Sequence, residues 1–208
     1  FRNLCRMMIQ KIYLVHHSHM DIGYTDLADE VREQQRHHLD QALEIHSRSQ
    51  RDPACVEFKW TCESSWVVKE YLEMRSTARV EMLLDALKGG AIELMAFFAQ
   101  PQTEMASPEE SIESVRFAVE LGRQHGFPVR CAMLNDIGGY MGRLPSVLSG
   151  WDVRYLVAGI GSYQVHLPWA AMPHLFYLED RAGCRTLIWN LGIDRNTTPQ
   201  SMEVLDAV

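Results

Sequence analysis

"KIYLVHHSHMDIGYTD", residues 11 to 26, opens on a short apolar run with a β-branched bias and then breaks into a polar cluster. His16, His17, His19, Asp21 and Asp26 crowd around Gly23 in that cluster. "KIYLVHH" (Lys11 to His17) reads as a buried strand. From Leu27 to about Arg48 the pattern becomes a long polar helix whose apolar residues are Leu27, Val31, Leu39, Ala42, Leu43 and Ile45. Strand, loop and helix in that order are the opening of a parallel α/β unit.

The same alternation continues along the chain. "VEFKWTC" (Val56 to Cys62) is a second strand, followed by helices over Ser65 to Met74 and Thr77 to Lys88, with Gly89 and Gly90 as a stop. "AIELMAFF" (Ala91 to Phe98) is a third strand. Ser107, Pro108 and Glu110 then carry the signals of a helix start, a cap with a proline in the first turn and a capping box, for a helix reaching about His125. "PVRCAML" (Pro128 to Leu134), a helix over Gly142 to Leu148, and "VRYLVAG" (Val153 to Gly159) complete the pattern. Two β-rich runs around Asp180 to Gly183 read as a hairpin decorating the parallel core. The expected architecture is an α/β domain with a parallel sheet, open or closed into a barrel, spanning residues 1–208 as a single unit.

Bulk properties exclude several classes of function. The chain has 208 residues, 47% apolar and 23% charged, which is ordinary globular composition. A net charge of -7 with scattered Lys and Arg offers no basic field for nucleic acid. The apolar runs are far shorter than the roughly 20 residues of a bilayer span. Cys5, Cys55, Cys62, Cys131 and Cys184 form an odd set without a C-x-x-C pair, which argues against a disulfide framework and fits a reducing, cytoplasmic setting. No signal peptide is visible, and a start at Phe1 rather than methionine reads as a processed product or a fragment.

In parallel α/β proteins, ligands sit where strands end and loops begin. His17, His19 and Asp21 follow the first strand, and residues two apart in extended backbone point the same way, so they can converge. An imidazole with a carboxylate suits zinc, while Gly23 lets the chain turn toward the helix. The same residues also make a hydrogen-bonded turn. Asp136 follows the fourth strand in "MLNDIGGYMGRLPSVL" and lies at the same end of the sheet; an Asx turn or helix cap accounts for it equally well.

These segments resemble glycoside hydrolase family 38, the α-mannosidases. "HSHMDIGYTD" is similar to that family's H-S-H-x-D-x-G-aromatic signature, in the D-I-G-Y-T form of its bacterial relatives. "NDIGGYMGRLPSVLSGWDVRYLV" and "FKWTCESSWVVKEYLEM" match two further segments in order, over roughly Lys11 to Asn190. The resemblance implies a (β/α)7-type barrel, incomplete on its C-terminal side because about five core strands are visible, with the hairpin near 174–190. It also implies a Zn2+ cofactor held by His19, Asp21 and Asp136, with Asp136 doubling as the catalytic nucleophile. Tyr24, standing where the family usually has tryptophan, would stack under the sugar ring. Trp60 and Glu63 would contact the substrate, although a core tryptophan and a helix-start glutamate explain them nearly as well. His17 would support a ligand from behind. His37, His38 and His46 are expected to be solvated.

The activity implied is retaining hydrolysis of α-mannosides. The fourth ligand, a histidine, and the acid/base carboxylate would lie beyond residue 208. His166 and His174 fall outside any motif. Two other classes remain open from the residues: a metal-dependent carbohydrate deacetylase-like hydrolase, and an inactive sugar-binding fragment that lacks the acid/base.

Overall fold

A computed structural model describes residues 14–19, 21–51, 57–160 and 172–193. Five helices and six strands are seen among them. In chain order they are α1 (Ala28–Ser49), β1 (Trp60–Cys62), α2 (Ser65–Met74), α3 (Thr77–Lys88), β2 (Ile92–Leu94), α4 (Pro108–His125), β3 (Cys131–Leu134), α5 (Leu144–Gly150), β4 (Tyr155–Ile160), β5 (Leu175–Glu179) and β6 (Arg185–Ile193). Residues 11–13 of the first expected strand and His166 lie outside the described residues.

The strands form two hydrogen-bonded ladders. One pairs β1 with β2 in parallel, Trp60 opposite Ile92. The other runs β3-β4-β6-β5, with β3, β4 and β6 parallel to one another and β5 antiparallel to β6. His17 bridges Thr61 in parallel, and Thr61 N donates to His16 O at 2.8 Å, so the opening stretch lies beside β1 on the side away from β2. Past β2, Ala96 N donates to Cys131 O at 2.9 Å and joins the two ladders. Each parallel strand is thereby added on the same side of its predecessor, the winding of a singly wound sheet. No closed barrel is seen among the described residues.

Two expectations from the sequence change. The strands are shorter than the apolar runs that announced them; Ala91 to Phe98, for example, contributes only Ile92–Leu94 to a ladder. Past Leu94 the chain turns from laddering with β1 to contacts that begin α2: Phe97 O and Phe98 O accept from Ser65 N and Trp66 N at 2.9 and 3.0 Å. These carbonyls satisfy amides that the first turn of a helix leaves without an intrahelical acceptor. The hairpin, in turn, is no decoration. Its second strand enters the sheet beside β4, with Tyr155 opposite Leu187, and only β5 lies outside it. Thr186, Ile188 and Asn190 are accordingly buried while Arg185, Trp189 and Leu191 are exposed.

The helices stand close to their predicted bounds, because capping and periodicity are local signals. Ser107 Oγ accepts from Glu110 N at 3.1 Å while Glu110 Oε2 accepts from Ser107 N at 2.7 Å, the capping box read from the sequence. Gly126, in the left-handed region at φ 79°, ends α4. Replacing Ser107 with alanine is expected to cost about 1 kcal/mol of stability, measurable as a lowered midpoint in urea unfolding. One apolar core then links both ladders to all five helices through Leu39, Tyr71, Leu83, Phe97, Val115, Leu144, Leu156 and Ile188. Ion pairs fasten α1 to α2 outside this core: Arg36 to Glu70 at 2.8 Å and Arg75 to Asp40 at 3.0 Å. Tyr71 Oη donates to Asp40 at 2.6 Å alongside them. No described helix is long and apolar enough to cross a membrane.

Candidate active site

The loops after the opening stretch, β1, β2 and β3 surround a cavity of about 540 Å³. His19, Asp21, Tyr24, Trp60, Glu63 and Asp136 all line it, so six of the seven predicted site residues share one pocket. The seventh, His17, stands behind them and reaches the pocket through Glu63.

Glu63 follows β1 and is buried. Its Oε1 lies 2.7 Å from His19 Nδ1 and its Oε2 3.4 Å from His17 Nδ1. Burial pushes this carboxyl upward, but the hydrogen bonds from His17 and His19 outweigh it and leave the group below the usual carboxylate range. An ionised Glu63 only accepts, so Nδ1 of His19 is the donor and Nε2 is the nitrogen left to act as a lone-pair donor. The predicted substrate-binding glutamate is therefore the group that fixes the tautomer of the predicted ligand.

Asp136 has left-handed backbone, φ 56°, uncommon outside glycine and best tolerated by Asp and Asn. Asn135 before it is buried, and its N–H donates to Gln100 Oε1 at 2.8 Å. A Cβ added at Gly159 of β4 would come within 2.2 Å of Asn135 Oδ1, so β4 must present bare backbone there for Asn135 to sit where it does. Ile137 N reaches Gly159 O at 3.5 Å on the other side. Asp21 is exposed, in a loop that turns at Gly23, φ 81°, and closes with Thr25 N donating to Asp21 O at 3.2 Å. Tyr24 stands at the rim, 89% exposed, its ring open to a ligand.

Several lining residues carry no motif and were not legible as site residues. Ser18 Oγ accepts from Gln35 Nε2 at 3.1 Å and lies 3.1 Å from His38 Nδ1. His38 was expected in solvent; it is half-buried against the pocket, and burial, then the neighbouring His37, holds its pKa below the usual imidazole value. His46 is half-buried too, Nδ1 3.0 Å from Phe58 O, whereas His37 is exposed as expected. Gln35 and His38 lie one turn apart on α1, which puts both on its pocket face.

The donor chemistry fits zinc: an imidazole oriented by a carboxylate, and two aspartates on the same cavity. Among the described residues, however, no group of three or more His, Cys, Asp or Glu is gathered closely enough to hold an ion. Burial raises the Cys62 thiol to about 12, so the one cysteine lining the pocket stays protonated at neutral pH and a thiolate nucleophile is disfavoured.

The sequence model for the N-terminal domain of glycosyl hydrolases family 38 matches residues 9–177. Among solved structures, an alpha-mannosidase from Enterococcus faecalis V583 shares 18% identity at a TM-score of 0.68, covering 84% of this chain and 19% of that chain. A protein in glycosyl hydrolase family 38 from Enterococcus faecalis shares 16% identity at a TM-score of 0.65, covering 93% and 21%. A 4-alpha-glucanotransferase from Thermococcus litoralis shares 17% at 0.61, covering 93% and 30%. These likenesses are in fold, and the chain spans about a fifth of the length of the two Enterococcus proteins. No curated protein matches it.

Proposed function

The chain belongs to glycosyl hydrolases family 38, and from that premise we propose that the protein carrying it is a zinc-dependent retaining glycosidase acting on α-mannosides. The observation that carries this reading is the meeting of His19, Asp21 and Asp136 on one cavity, with Glu63 orienting His19 from behind. On this reading residues 1–208 are the N-terminal part of a (β/α)7-type catalytic barrel, with the same-side strand winding as its support. A cytoplasmic setting fits the free cysteines Cys62, Cys131 and Cys184.

His19, Asp21 and Asp136 would hold the zinc. The ion would supply Lewis acidity toward sugar hydroxyls and keep a carboxylate ionised. Asp136 attacks the anomeric carbon as the bond to the leaving oxygen breaks, giving a glycosyl ester on its carboxylate. A second carboxyl group protonates the leaving oxygen, then takes a proton from the water that cleaves the ester, returning Asp136. Tyr24 offers its ring face to the sugar from the rim, and Trp60 lines the same pocket. Glu63 keeps its proton-accepting oxygens on the two imidazoles and takes no part in the bond changes.

The test is hydrolysis of a nitrophenyl α-mannoside by the purified protein, with the anomeric form of the first product followed by proton NMR. Retention is expected. Release of acetate from an acetylated sugar without glycoside cleavage would sink the reading in favour of a deacetylase. Binding of zinc and a mannose-like inhibitor without turnover would leave a sugar-binding protein. A separate prediction concerns the metal: Glu63→Gln is expected to weaken zinc binding by about 10- to 100-fold, measured by competition with a chromophoric chelator.

A further inference from the structure

The two halves of the pocket belong to different ladders. His19 and Glu63 stand with β1, while Asn135 and Asp136 follow β3. One side chain spans them. Gln100, in the loop between β2 and α4, accepts from Asn135 N through Oε1 at 2.8 Å and donates through Nε2 to Ser64 Oγ at 3.3 Å. Its orientation is fixed by chemistry, because a backbone N–H needs the oxygen of the amide and not its nitrogen. Ser64 is buried and adjoins Glu63; Asn135 is buried, adjoins Asp136, and is pressed from below by Gly159. Gln100 thus touches the immediate neighbour of each of the two carboxylates.

We infer that Gln100 is a positioning residue that sets the placement of the Asp136 carboxylate relative to the histidine wall, acting through Asn135 and Ser64. The inference rests on the reading of Asp136 as the nucleophile. Asp136 needs support of this kind. Its left-handed backbone is held by what flanks it, and the described hydrogen bonds on either side are Asn135 N to Gln100 and Ile137 N to Gly159. Without the Gln100 oxygen, the buried Asn135 N–H loses its acceptor, and the loop gains a reason to shift. A nucleophile displaced by about 1 Å costs on the order of 10²-fold in rate. The loss should fall on the step that Asp136 performs rather than on substrate binding, because the acceptor removed is the one that holds the Asn135 N–H beside Asp136.

The experiment compares Gln100→Met, which keeps the length and removes both polar atoms, with Gln100→Glu, which keeps an acceptor for Asn135 N–H. Both are made in the protein carrying this chain and assayed on a nitrophenyl α-mannoside. For Gln100→Met the expected result is kcat lowered about tenfold to hundredfold, with KM within about threefold of the parent. The Asn135 amide should exchange with deuterium on the order of tenfold faster. Gln100→Glu should recover at least about fivefold of the lost kcat. If Gln100→Met does not fold, Ser64→Ala severs the other end of the tether, and a several-fold fall in kcat at constant KM is expected. A Gln100→Met protein with kcat within twofold of the parent overturns the inference, as do equal losses in the Met and Glu variants, or an unchanged kcat for Ser64→Ala. A parent protein that does not turn over overturns the nucleophile reading itself, which separates that failure from the others.

Discussion

An Asp136→Asn protein is expected to lose roughly 10³-fold or more of its kcat on aryl α-mannosides while unfolding at the same temperature as its parent. Asparagine has the shape of aspartate and accepts φ 56° almost as readily, so the loop is retained. What disappears is the anionic oxygen that, on the proposed reading, forms the glycosyl ester and helps hold the zinc. Alanine would be a poorer probe: it forfeits the carboxylate and adds a backbone penalty of about 1–2 kcal/mol in the left-handed region. Single-turnover kinetics on an activated substrate, with melting followed by circular dichroism, separates the two effects. A kcat within tenfold of the parent would remove Asp136 from the reaction.

The second large effect is on stability. Phe97→Ala is expected to destabilise the fold by about 3–5 kcal/mol, against a total of roughly 5–15 kcal/mol for a domain. Phe97 has no exposed surface and sits at the turn where the chain leaves β2, its carbonyl accepting the amide that begins α2. Truncation leaves a void where α2 and both ladders share one core. The backbone bond to Ser65 resists collapse into that void, which places the cost toward the upper end. Urea unfolding, read at the transition to which this domain contributes, gives the value. A change under 1 kcal/mol would mean that the core collapses freely into the space the ring leaves.

How far the sequence could be read depended on how local each signal is. The start of α4 is written in Ser107, Pro108 and Glu110, three residues of one turn, of which Ser107 and Glu110 determine each other's hydrogen bonds without help from the rest of the chain. His19 and Asp21, two apart just past the stretch that bridges β1 at His17, and Asp136 past β3, share an address that follows from a parallel arrangement. Pairing is different. Nothing within Arg185–Ile193 says that its partner is β4, because the choice is made by Tyr155 and Leu156 some 30 residues earlier. The alternation of Thr186, Ile188 and Asn190 against Trp189 and Leu191 suits a hairpin and a central strand alike. Gln100 and His38 were illegible for the same reason: their partners Asn135 and Ser18 lie 35 and 20 residues away. Glu63 was placed in the pocket by resemblance, but its grip on two imidazoles, 44 and 46 residues distant in sequence, emerges only in three dimensions.

The join between the ladders has a mechanical meaning. His19 and Asp136 ride on separate plates, and the described backbone bond across the joint runs from Ala96 to Cys131. A slide or tilt along that line changes the width of the cleft without breaking any rung of either ladder. Along that line the two walls of the cleft are therefore tied by the shared apolar core and the Gln100 amide rather than by a continuous ladder of strands.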